Sequence, residues 1–220
     1  METRRIFLTG ATGYLGSRVV PLLRARGHMV RALIRPGSAS KLPSGIETVV
    51  GNPLDAGTFA DQVVGTDTLV HLVGVPKPAP WKGEQFRRVD GPSALAAIAA
   101  AKDAKISHIV YVSVAHPAPI MKDYIEVREA CEAALQKAGV ISTILRPWYV
   151  LGPGHWWPVA LRPAYWFMER WSSTRESALR LGLVTIDDML RAMVWAVEQP
   201  PAATRILEVS DIRRLGRDAR

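Results

Sequence analysis

Thr9-Gly10-Ala11-Thr12-Gly13-Tyr14-Leu15-Gly16 carries three glycines at a spacing that lets a backbone bend around a phosphate. The run follows a short apolar stretch, Ile6-Phe7-Leu8, and opens a helical pattern from Tyr14 to Arg26. Gly10 allows a sharp turn, Gly13 lets the chain approach a pyrophosphate, and Gly16 lets the helix lie close to the strand. Free N–H groups and the positive end of the helix dipole then face the phosphates. Strand, glycine turn and helix in this order describe a dinucleotide-binding unit.

The second strand decides which dinucleotide suits it. An NAD site usually ends that strand in a carboxylate, which accepts hydrogen bonds from the adenosine ribose. Here it reads His28-Met29-Val30-Arg31-Ala32-Leu33-Ile34-Arg35, and no Asp or Glu occurs from Thr3 to Ile46. Arg35 stands at the carboxylate's place, with Arg31 and Lys41 nearby. A guanidinium fork suits a 2′-phosphate that a carboxylate would repel. The expected cofactor is therefore NADP(H), ahead of NAD(H).

These groups need a scaffold. The chain has 220 residues, 48% of them apolar, enough for one domain or one domain with a small appendage. Strand patterns fall near 4–9, 28–34, 46–50, 67–73, 107–113 and 141–146, and helical patterns near 13–26, 55–63, 84–103 and 122–138. Such alternation predicts an α/β fold, a doubly wound parallel sheet of Rossmann type. Thr68–Val73 and His108–Val112 are continuously apolar, as buried parallel strands are. Pro21 should bend the first helix or loosen one turn. Thr185 with Asp188 reads as an N-cap opening a helix to about Glu198, and 205–209 reads as a last strand.

Composition narrows the partners. The formal net charge is +8, yet the basic residues are scattered and no basic run interleaves with aromatics, so nucleic acid is not expected. An acidic partner or membrane surface stays open. The start carries no signal-peptide pattern and no apolar run is long enough to span a membrane, which points to the cytoplasm. The single cysteine, Cys131, forms no internal disulfide and reads as packing on a helix. The five histidines share no ligand spacing, so no metal site is expected.

Further motifs occur in a telling order: Gly51-Asn52-Pro53-Leu54-Asp55, His71-Leu72-Val73-Gly74, Tyr111-Val112-Ser113 and Thr143-Ile144-Leu145-Arg146-Pro147. With the glycine turn they resemble the short-chain dehydrogenase/reductase superfamily, in its atypical NAD(P)-binding branch. The resemblance covers most of 4–210. It implies cofactor contacts from Gly10, Thr12, Gly13, Tyr14, Leu15, Gly16, Arg35, Asn52, Leu54, Val73, Gly74, Tyr124, Arg128 and Pro147.

In that family a tyrosine moves the proton while hydride passes to or from nicotinamide. A lysine four residues later lowers the tyrosine's pKa and holds the ribose, and a serine orients the carbonyl. The corresponding residues are Tyr124, Arg128 and Ser113, with arginine in place of lysine. The i,i+4 spacing puts Tyr124 and Arg128 on one helix face. Arginine stays cationic, but its planar fork does not reproduce an ammonium's hydrogen bonds. The family's relay asparagine is absent, because the chain's one asparagine is Asn52. Tyr124 is thus either catalytic or a ribose and packing contact.

Residues 1–147 are read as the NAD(P)-binding domain and 148–220 as a small C-terminal lobe packed on it. Five tryptophans fall between Trp148 and Trp171, with Tyr149, Tyr165 and Phe167 among them. They line a hydrophobic substrate site, form a small aromatic core or dimer face, or dock at a membrane interface. His155 either reaches substrate or is structural. Two functions follow. One is an NADP(H)-dependent oxidoreductase acting on a hydrophobic, carbonyl-like small molecule. The other is a noncatalytic NADP(H)-binding regulatory, redox-sensing or assembly protein. A sugar-nucleotide epimerase fits less well, because the chain is short for that lobe.

Overall fold

Seven parallel strands form the central sheet, in the order β3-β2-β1-β4-β5-β6-β9. In chain order these are β1 (Arg5–Thr9), β2 (Met29–Ile34), β3 (Glu47–Val50), β4 (Thr68–His71), β5 (His108–Val112), β6 (Ser142–Leu145) and β9 (Arg205–Leu207). The computed structural model describes residues 2–154 and 180–218. The order reverses between β1 and β4, which makes the crevice at their carboxyl ends the switch point of a Rossmann-type sheet.

Side-chain alternation sends each strand to two cores. From β1, Ile6 and Leu8 pack with α1 (Gly16–Ala25), while Phe7 joins the opposite face. That opposite face is covered by α4 (Gly91–Asp103) and α5 (Lys122–Ala138), with the short α2 (Ala60–Val63) beside them. The first face also takes α6 (Ile186–Glu198) and α7 (Val209–Asp218). Burial on both faces explains why the inner strands are uniformly apolar.

Pro21 does not end α1, which runs through it. The expected helix at 84–103 is a composite. After α3 (Gly83–Gln85) comes a π-helical turn, Phe86–Asp90, and then α4. The wide turn places Asp90 among fully buried residues. The helix expected at 55–63 is a 3₁₀ turn, Ala56–Thr58, followed by α2.

The stretch assigned to the C-terminal lobe contributes β9 to the main sheet and α6 to its core. Thr185 caps α6 through its hydroxyl, which accepts from the Asp188 N–H at 3.1 Å. Helix α7 was not expected; Val209, Ile212 and Leu215 recur every three residues and are buried in the same core as α6. A small parallel pair, β7 (Tyr149–Leu151) and β8 (Leu183–Thr185), stands beside the main sheet. Most of the tryptophan-rich segment, His155 included, lies outside the described residues.

Candidate functional site

The glycine turn is forced by its surroundings. Gly10 has φ +78°, and a Cβ there would lie 2.6 Å from the Leu72 carbonyl carbon. Only glycine accepts both the left-handed backbone and the approach of β4's end. Gly16 packs against the turn itself more closely than against the strand: its Cβ would lie 2.2 Å from the Gly10 carbonyl oxygen. Tyr14 leans across, with Arg18 stacked 4.3 Å from its ring centroid and bonded to its carbonyl.

Two adjoining clefts open along this edge. The larger, about 560 Å³, is lined by Gly10, Thr12, Gly13, Arg35, Asn52 and Leu54 among others. The smaller, about 270 Å³, is lined by Tyr14, Leu15, Ser113, Tyr124, Arg128 and Pro147 among others. Gly13, Val73 and Gly74 border both, so the two form one groove. Every expected cofactor and catalytic residue borders it except Gly16, which lies beneath the turn. A dinucleotide fits such a groove, with the glycine turn at its middle.

At the larger end Arg35 is exposed just beyond β2. Arg31 is engaged elsewhere, donating to Glu47 at 2.6 Å and to the Gln62 carbonyl at 2.6 Å, so it does not serve a phosphate there. Asn52 shapes its own loop, its Oδ1 accepting from the Leu54 N–H at 3.1 Å.

The smaller end departs from the expected pattern. Tyr124 and Arg128 do share a face of α5, the guanidinium carbon lying 5.1 Å from the Tyr124 ring centroid. However, Arg128 is almost fully buried and directed at protein acceptors. It donates to Asp90 Oδ1 at 2.5 Å, the Tyr111 hydroxyl at 3.1 Å and the Val112 carbonyl at 2.9 Å. It is therefore not a free stand-in for a ribose-holding lysine. The other Asp90 oxygen accepts from the Val75 N–H at 3.0 Å, which fixes the groove wall. Gly74 closes the contact, because a Cβ there would lie 2.6 Å from Arg128.

Burial raises the Tyr124 phenol above its ordinary value, and Arg128 pulls the other way without reversing it. Arg128 thus acts in the direction expected of a cation, and desolvation outweighs it. Ser113 differs as well. Its hydroxyl donates to Glu132 Oε1 at 2.5 Å, leaving its lone pairs toward other partners. Glu132 also accepts from Arg146, which pairs in turn with Glu208 at 2.9 Å.

Asp90 and Glu132 are the residues that sequence reasoning missed. Each reads as an ordinary helical acid, and each meets its partner only through space. Nearby, His71 is wholly buried, bonded to Thr9 Oγ1 at 2.9 Å, and desolvation lowers its pKa to about 3. Cys131 is buried on α5. Among the described residues, no group of three or more His, Cys, Asp or Glu is placed to hold a metal. Likewise no described helix is long and apolar enough to cross a membrane.

Comparison with known proteins agrees with this groove. A family model described as NAD(P)H-binding matches residues 10–153. A ceramide reductase of Caulobacter vibrioides is 27% identical over 219 residues, covering 96% of this chain and 66% of the relative. A farnesyl dihydroquinoline-oxide ketoreductase of Stigmatella aurantiaca is 33% identical over 111 residues, covering 50% of this chain and 33% of the relative. The chain thus spans less than two thirds of these relatives' length. Among solved structures, the Bordetella bronchiseptica enzyme WbmH in complex with NAD+ shares the fold. Its TM-score is 0.70 at 20% identity, covering 94% of this chain and 76% of that one.

Proposed function

From the premise that this chain belongs to the NAD(P)H-binding family, within the short-chain dehydrogenase/reductase superfamily, we propose an NADP(H)-dependent oxidoreductase acting on a hydrophobic, carbonyl-like small molecule. The observation that carries this reading is the continuous groove, with Arg35 at one end and Tyr124 and Ser113 at the other. Arg35 offers its fork to the 2′-phosphate, and the glycine turn offers N–H groups to the pyrophosphate. Bound nicotinamide supplies the hydride chemistry.

The chain's own residues then position the substrate. With its pKa raised, Tyr124 keeps its proton at neutral pH and donates a hydrogen bond to the substrate oxygen. Leu72, Val73, Val112 and Trp148 line the surrounding wall, which favours an apolar substrate. Two relatives whose names specify lipid or prenylated substrates support that class.

The Asp90–Arg128 pair favours a second reading, a noncatalytic NADP(H)-binding regulator, because it withdraws the cation expected to serve the ribose. One experiment separates the two. NADPH and NADH are titrated by fluorescence, and turnover is followed on a panel of long-chain, prenylated and aromatic carbonyls for wild type and Tyr124→Phe. Turnover in wild type that falls at least tenfold in the variant supports the enzyme. Tight NADPH binding without turnover supports the regulator.

A further inference from the structure

A chain of acid–base groups leads from the groove to the surface behind Ser113. Ser113 borders the smaller cleft and donates to Glu132 Oε1 at 2.5 Å. The same oxygen lies 3.5 Å from His116 Nε2, a buried nitrogen with no hydrogen-bond partner among the described residues. On the far side of that ring, Nδ1 lies 2.9 Å from Glu129 Oε1, and the Glu129 side chain is 50% exposed. A buried polar atom without a partner is costly and asks for an explanation. A shift of about 0.5 Å brings Nε2 into ordinary hydrogen-bond range of Glu132.

We propose that Ser113, Glu132, His116 and Glu129 form a proton path between solvent and the substrate oxygen. The proposal rests on the oxidoreductase reading above. In carbonyl reduction, hydride arrives at the carbonyl carbon from the reduced cofactor, and its C=O π pair becomes an oxyanion. That oxyanion takes the Ser113 hydroxyl proton as Ser113 takes one from protonated Glu132. His116 then returns a proton to Glu132 from Nε2 and accepts one at Nδ1 from Glu129, which exchanges with water. One hydride and one solvent proton are consumed for each alcohol formed. Alcohol oxidation runs the same path outward. Tyr124 keeps its proton throughout and stabilises the oxyanion by hydrogen bonding.

The surroundings let Glu132 change its charge. Arg146 contacts both Glu132 and Glu208, so its cation stays compensated by Glu208 when Glu132 is protonated. The groups facing the Glu132 carboxylate are Ser113, Arg146 and His116, and its chain neighbour Cys131 is uncharged at neutral pH.

The test uses the full chain with NADPH and a carbonyl that wild type reduces. Glu132→Gln keeps the shape but carries no proton; kcat should fall about 100-fold while NADPH affinity stays within about twofold. His116→Ala should lose about tenfold in kcat and regain most of it with added imidazole, a rescue that a structural role does not produce. The path is overturned if Glu132→Gln keeps kcat, or if imidazole fails to rescue His116→Ala. A wild type that binds NADPH yet reduces nothing overturns the oxidoreductase reading instead.

Discussion

Arg128 and Asp90 form an ion pair of 2.5 Å in which the arginine side chain is 6% and the aspartate side chain 0% exposed. The pair joins α5 to the π-helical turn and, through the Val75 N–H, to the groove wall. Two buried charges hold each other at a desolvation cost, so the arrangement is costly to break from one side.

Asp90→Ala therefore leaves a buried guanidinium uncompensated, and unfolding free energy should fall by about 3–5 kcal/mol. A double change to Asp90→Leu with Arg128→Met should recover much of that loss. Urea unfolding of the three proteins checks both. A loss below about 1 kcal/mol for Asp90→Ala would mean that water reaches Arg128.

That pair also shows where sequence reading stops. The glycine turn was legible because its chemistry lies within a few neighbouring residues, and apolar runs marked the inner strands. Asp90 and Arg128 are 38 positions apart, and Ser113 and Glu132 are 19 apart. No periodicity joins such residues; the sheet order does. Glu132 sits on a helix full of charges and reads as solvated, yet it faces Ser113 across the β5–α5 crossover. Helix α7 was hidden because its charged residues, three arginines and two aspartates, outnumber the three apolar residues that anchor it.

If Arg35 sets the choice of cofactor as proposed, a single change reverses it. A carboxylate there repels the 2′-phosphate and accepts from a ribose 2′-hydroxyl. Arg35→Glu should weaken NADPH binding by at least tenfold and leave NADH binding equal or tighter. Parallel fluorescence titrations decide it, and unchanged NADPH affinity would remove Arg35 from the site.

His71 imposes an acid dependence on stability. In the folded protein it takes a proton only near pH 3, against 6.5 for an ordinary histidine. Between those values the unfolded chain binds the extra proton, so stability falls as pH falls, by up to about 1.4 kcal/mol per pH unit. The contribution is fully present above 6.5. His71→Asn should flatten the slope of unfolding free energy by about one proton between pH ~6 and ~5. Urea titrations at stepped pH measure it; parallel slopes in both proteins would mean that His71 charges without unfolding.

Gly10 and Gly27 separate backbone strain from steric contact. Both have positive φ, +78° and +83°, but a Cβ at Gly27 meets nothing within 4 Å. Alanine at Gly27 should therefore cost only the left-handed strain, about 1–2 kcal/mol. At Gly10 the same strain is joined by backbone atoms of Leu72 and Val73 within 3 Å. Relief requires the glycine turn or the end of β4 to move, and both border the groove. Gly10→Ala should thus lose more stability than Gly27→Ala and weaken NADPH binding at least tenfold, while Gly27→Ala binds as wild type. Equal affinities in the two variants would show that the turn is scaffold with no part in holding the cofactor.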